Sequence, residues 1–74
     1  MTPDEVRVRI EAGIPGAKAT VEDMTGTGDH FAAVVVAESF RGKTLMQMHR
    51  MVYAALGDLM NGPIHALKLE TRDA

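Results

Sequence analysis

The 74-residue chain predicts a single small α/β (α+β) domain, residues 1–74, with the element order α-β-β-α-β. Three observations carry that expectation. Two capping boxes, Thr2-x-x-Glu5 and Thr44-x-x-Gln47, each open a segment whose apolar residues recur at helical spacing. An alternating stretch follows the first of these segments, and an apolar run with consecutive valines at 34–36 follows the alternating stretch. A chain of this length hides only about 60% of its unfolded surface on folding, so the core is thin and a second domain has no room.

The first helix starts at Thr2, with Pro3 at the first helical position and Glu5 completing the box. Val6 and Ile10 lie one turn apart on one face, and Gly13, Pro15 and Gly16 end the element. Ala17, Ala19 and Val21 then alternate with Lys18, Thr20 and Glu22, the pattern of a half-buried strand. Thr25-Gly26-Thr27-Gly28-Asp29 reads as a loop. Phe31 to Phe40 reads as the second strand, joined to the first as an antiparallel hairpin.

The second helix begins near Thr44, and Leu45, Met48, Val52, Ala55, Leu56 and Leu59 form its apolar stripe, with an extra helical turn before residue 60. Asn61-Gly62-Pro63 stops it. Ile64 to Thr71 makes the last strand, with Arg72-Asp73-Ala74 expected to fray. A right-handed crossover through the long helix places the last strand parallel to the second. The result is a three-stranded mixed sheet packed by helices.

Composition narrows the function. With 46% hydrophobic and 24% charged residues, the chain has an ordinary globular balance. The longest apolar run, Phe31 to Ala37, is far shorter than the ~20 residues of a membrane span. The acidic start Met1-Thr2-Pro3-Asp4-Glu5 has no signal-peptide core, which points to a cytoplasmic protein with no membrane association. The absence of cysteine removes disulfides, thiolate nucleophiles and any self-contained Cys-rich metal site. A net charge of −2 argues against strong non-specific nucleic-acid binding, because that affinity comes mostly from neutralising phosphates.

Two tempting motifs fail on spacing. Gly42-Lys43-Thr44 resembles the end of a P-loop, but Ala37 stands where its first glycine is required. Gly26-x-Gly28 has Phe31 in the third glycine position of a dinucleotide fingerprint, and a strand follows instead of a helix. No serine triad suggests itself around Ser39, so enzymatic activity is not expected. The 3 histidines, at 30, 49 and 65, lack the i, i+4 spacing of a helical zinc site. His49 adjoins the apolar stripe and is expected to be a packed residue hydrogen-bonded to nearby backbone. His30 and His65 stand at two loop–strand junctions, and they approach one another if the second and third strands are neighbours.

Of the 6 methionines, most serve the core, but Met46 and Met51, with Tyr53, fall outside the main stripe and hint at a partner surface. Arg41, Lys43 and Arg50 form a basic cluster, read either as a solvated face or as a contact for an acidic partner.

These residues resemble a known family. Phe40-Arg41-Gly42-Lys43-Thr44, followed by Met48-His49-Arg50-Met51-Val52, is similar to the BolA pattern of Phe-x-Gly-x-Ser/Thr and Arg-His-Arg-x-Val. Pro63-Ile64-His65-Ala66-Leu67 resembles that family's histidine-bearing last strand, and Val21-Glu22-Asp23 and Asp29-His30-Phe31 resemble its short bacterial members. Met48 departs from the pattern, since many members carry arginine there. The resemblance implies a fold similar to a type II KH domain and structural roles for Gly42 and Thr44. It also implies a complex with a monothiol glutaredoxin that shares a 2Fe–2S cluster, with glutaredoxin and glutathione supplying sulfur. His65 matches the family's ligand histidine, and His30 is the good donor nearest the hairpin loop, with Asp29 a poorer oxygen ligand. Alone, the protein is expected to hold no cluster and to be a monomer or weak homodimer. Arg41, Lys43, Met46 and Arg50 become candidate partner contacts. The rival reading is a DNA-binding regulator, since KH-like folds bind single strands through a Gly-x-x-Gly clamp. The chain is read as lacking that tetrad, and its acidic balance is unfavourable. A cluster-free interaction module is the third.

Overall fold

The computed structural model describes residues 1–74. The elements run α1 (Pro3–Gly13), β1 (Lys18–Asp23), β2 (His30–Ala37), a 3-10 turn (Glu38–Phe40), α2 (Leu45–Leu56), a second 3-10 turn (Gly57–Asn61) and β3 (Ala66–Asp73). The sheet order is β1-β2-β3. β1 and β2 pair antiparallel from Lys18↔Val36 to Asp23↔Phe31, and β2 and β3 pair parallel from His30↔Ala66 to Ala37↔Asp73. The expected α-β-β-α-β order and mixed sheet are both present.

Both helix starts follow from local chemistry. The Thr2 hydroxyl accepts from the Glu5 N–H and the Glu5 carboxylate accepts from the Thr2 N–H, and Thr44 and Gln47 repeat the exchange. These reciprocal bonds satisfy amide groups that a helix end leaves without partners. The exchange also holds the exposed Glu5 carboxyl below its usual range, chiefly through the Thr2 backbone.

β2 alternates strictly. Phe31, Ala33, Val35 and Ala37 are buried, whereas His30, Ala32, Val34 and Val36 stay half-buried on the opposite face. The helices supply Val6, Ile10, Val52 and Leu56 to the same core, so both cover one face of the sheet and leave the other open. α1 and α2 meet at Gly13, where an added Cβ would stand 2.6 Å from the Ala55 Cβ and 3.0 Å from its Cα. Such overpacking costs about 1–3 kcal/mol, more than the ~1 kcal/mol helix-propensity gain of replacing glycine. Gly13→Ala is therefore expected to lower the urea midpoint, and Gly13→Ala combined with Ala55→Gly to recover part of it. A single variant as stable as wild type would refute the close approach.

Four details differ from expectation. β2 stops at Ala37, because Glu38–Phe40 winds into a 3-10 turn that buries Phe40, and the Ser39 hydroxyl donates to the Pro15 carbonyl at 2.8 Å. β3 begins at Ala66, since Ile64 is spent on the preceding turn, with a buried side chain and its N–H bonded to the Leu59 carbonyl. The C-terminus does not fray where expected: Arg72 and Asp73 still pair with Val36 and Ala37. In α2, Leu45 is 61% exposed and off the core, while Met51, expected on the outer face, packs against the core.

Candidate functional site

The parallel pairing of β2 and β3 sets the site. Parallel strands begin at the same end of a sheet, and here the residues at that end are histidines. His30 is the first residue of β2, and His65 immediately precedes β3. Their rings stack with centroids 6.1 Å apart and planes 10° from parallel. His65 is exposed and His30 is half-buried, so the pair faces solvent.

Asp29 ties the two together. Its carbonyl accepts from the N–H of His65 at 2.8 Å and of Ala66 at 3.3 Å, which joins the hairpin loop to the start of β3. Its Oδ1 lies 2.8 Å from the His30 Nδ1, and the Thr27 hydroxyl donates to the same oxygen. These two bonds, Thr27 first and His30 second, hold the Asp29 carboxyl below its usual range.

The glycine loop is braced from inside. The Asp23 carboxylate accepts from the N–H groups of Thr25 at 3.2 Å, Gly26 at 2.9 Å and Gly28 at 2.8 Å. Gly26 and Gly28 adopt φ of 74° and 77°, a left-handed conformation that side chains disfavour. At Gly28, an added Cβ would also come within 3.0 Å of the Met1 carbonyl oxygen. The stretch reads as an ordinary turn from its glycines, and the bracing roles of Asp23 and Asp29 appear only in the folded chain. The signal available was an Asp before a Gly-rich loop, the type of residue that bonds backbone amides a few positions on.

No group of three or more His, Cys, Asp or Glu side chains is placed to hold a metal ion. The pair thus offers two imidazoles, and a metal bound there would take its remaining ligands from another molecule.

His49 lies elsewhere, on α2, with its ring edge-on to Tyr53 at 6.5 Å. The expected hydrogen bond to backbone is absent: Nε2 is buried without a partner. A buried nitrogen without a partner costs about 1–3 kcal/mol, and replacing it by an apolar group of similar shape is often neutral or better. His49→Leu is expected to match or exceed wild type in thermal melting. A loss beyond ~1 kcal/mol would show that Nε2 has a partner in solution.

The basic residues lie in the segment before α2 and along α2. Arg41, Lys43 and Arg50 are exposed, and the neighbouring apolar residues Met46 and Tyr53 are 64% and 40% exposed. Gly42 turns the chain with φ of 77°, again a left-handed conformation that side chains disfavour, and Thr44 caps the helix. Met46 and Arg50 follow at i, i+4 on one side of α2. The Gly-x-x-Gly spacing, read from sequence as absent, does occur at Gly13-Ile14-Pro15-Gly16. It lies in the turn between α1 and β1, not between two helices.

A three-stranded mixed sheet packed on one face by two helices makes this a small α+β domain. The chain belongs to the BolA family: the profile described as BolA-like protein matches residues 2–74. A BolA homologue from Coxiella burnetii has a solved structure with a TM-score of 0.82 and 40% identity, over 96% of this chain and 88% of that one. Human "BolA-like protein 1" is 33% identical over 97% of this chain and 48% of its own length. The "DNA-binding transcriptional regulator BolA" of Escherichia coli is 37% identical over 62% of this chain and 44% of its own. The chain thus spans about half the length of these curated relatives. No helix is long and apolar enough to cross a membrane.

Proposed function

We propose that this protein is a cytoplasmic adaptor that binds a monothiol glutaredoxin and shares a 2Fe–2S cluster with it, for cluster trafficking or iron sensing. The observation that supports this reading best is the solvent-facing pair His30 and His65, stacked at 6.1 Å. Two imidazoles suit iron but do not complete a cluster site, which is built mainly on thiolates. With 0 cysteines, the chain has no thiolate ligand of its own to offer, so thiolate sulfur comes from the glutaredoxin and its glutathione. Substituting imidazole for two sulfur ligands raises the reduction potential, as in Rieske centres. That change suits a protein that accepts and passes on a cluster. Arg41, Lys43, Arg50 and Met46 supply a basic and apolar surface for docking.

The test is anaerobic co-purification with a cluster-loaded monothiol glutaredoxin, followed by visible absorption and circular dichroism. The expected result is a coloured heterocomplex whose spectrum differs from that of the glutaredoxin alone, while the isolated protein stays colourless. A brown protein reconstituted without any partner would refute the adaptor.

The second reading is a DNA-binding regulator, favoured by the name of the Escherichia coli relative and by the exposed Arg41, Lys43 and Arg50. It requires tight, sequence-selective binding at ~150 mM salt, whereas the adaptor leaves only weak binding that falls steeply with salt. If docking occurs without any cluster, a plain interaction module remains.

A further inference from the structure

We infer that Asp29 is a positioning residue that holds His30 in the Nδ1–H tautomer, so that the lone pair of the neutral ring is left on Nε2. The inference rests on the adaptor reading for its purpose, but its chemistry belongs to this chain alone. A neutral imidazole has one N–H and one lone pair, and the hydrogen bond made by one nitrogen decides the state of the other. An ionised carboxylate only accepts. At 2.8 Å from Asp29 Oδ1, the His30 Nδ1 must therefore carry the proton, and the lone pair falls on Nε2.

The carboxylate is itself oriented. The Thr27 hydroxyl donates to the same Oδ1, and Asp23 fixes the loop that carries Thr27 by accepting from the amides of Thr25, Gly26 and Gly28. Through its carbonyl, Asp29 also receives the His65 N–H at 2.8 Å, so one residue sets the ring of one histidine and the backbone of the other. No protein group hydrogen-bonds the His65 ring. The site is thus asymmetric, with the His30 tautomer preset by a hydrogen bond and that of His65 set by none. Carboxylate–histidine pairs of this kind orient metal-bound imidazoles generally and raise their basicity.

The test begins with the apo protein, labelled with ¹⁵N-histidine, at a pH near ~8, where ordinary imidazoles are neutral. Long-range ¹H–¹⁵N spectra should show His30 protonated at Nδ1 and bare at Nε2. Asp29→Ala should move it toward the Nε2–H form and leave the backbone amide spectrum of the core unchanged. Asp29→Asn, which keeps an acceptor oxygen, should restore part of the preference. Should Asp29→Ala unfold the loop, Thr27→Val gives a second reading, with a smaller shift in the same direction. A wild-type His30 protonated at Nε2, or a ring unmoved by every variant, would overturn the inference.

The second arm uses the complex with cluster-loaded monothiol glutaredoxin. There, Asp29→Ala should shorten the cluster lifetime roughly tenfold or more, as loss of such partners lowers metal affinity, and Asp29→Asn should recover part of it. An unchanged lifetime in Asp29→Ala alongside a shortened one in His30→Ala would remove Asp29 as a positioning residue. If the wild type takes up no cluster, the adaptor reading fails, whereas the tautomer result still decides what Asp29 does to His30.

Discussion

His65→Ala is expected to keep the fold and the docking to apo-glutaredoxin while changing the absorption and circular dichroism of the shared cluster and making it labile. The fold should survive because His65 is exposed, its one hydrogen bond runs from its backbone N–H to the Asp29 carbonyl, which alanine keeps, and the ring it loses stacks only on the half-buried His30. Ile64, the buried neighbour that anchors this turn, is untouched. On the proposed adaptor reading the cluster should suffer, because a methyl group cannot replace an imidazole ligand to iron. Cluster lifetime should fall by roughly tenfold or more, at least the loss that even an outer-shell partner produces. His30→Ala should act in the same direction. The decisive measurement compares holo-complexes at one protein concentration. Identical spectra and lifetimes for wild type and His65→Ala would remove His65 from the cluster and leave the interaction module as the better account.

Phe31→Ala is expected to be the most damaging core substitution. Phe31 is fully buried on the central strand, next in sequence to His30 and paired with Asp23 on one side and Leu67 on the other. Truncating a buried phenylalanine to alanine costs about 3–5 kcal/mol. A domain of this length has roughly 4–11 kcal/mol in total. The variant should therefore be largely unfolded near 37 °C and lose the histidine pair with the fold. Phe31→Leu, which keeps most of the volume, should remain folded with a lowered midpoint. Chemical denaturation of the three proteins checks this, and a loss below ~1.5 kcal/mol for Phe31→Ala would mean that the core collapses around the gap unusually well.

The local devices of this fold were legible in the residues. Thr2 with Glu5 and Thr44 with Gln47 announce both helix starts, because a capping box is an exchange between a residue and its neighbour three positions on. The alternation through β2 and the Gly-Pro punctuation are local in the same sense. Elements limited by packing were less legible. Phe31 to Phe40 looks like one long strand, yet Phe40 reaches the core only if residues 38–40 coil. Ile64 looks like the start of β3 but belongs to the turn before it, and Leu45 fits the helical stripe but falls clear of the core. His49 satisfies the pattern of a packed histidine, but only the fold shows that nothing accepts from or donates to its Nε2.

The residues alone carried the inventory: a small α+β domain, an α-β-β-α-β order, no thiolate, and the family pattern around Gly42 and His65. Which residues stand beside one another follows from the folded chain. His30 and His65 are 35 positions apart in the chain, and parallel pairing of β2 with β3 brings their rings to 6.1 Å. Asp29 reads as a loop residue until its carbonyl is seen to hold the start of β3 and its carboxylate to hold His30. Periodicity and capping depend on residues within a turn of one another, and so are written along the chain. Register between distant strands is fixed by burial of Phe31, Ala33 and Val35 beneath the two helices, a condition that exists only once the chain has folded.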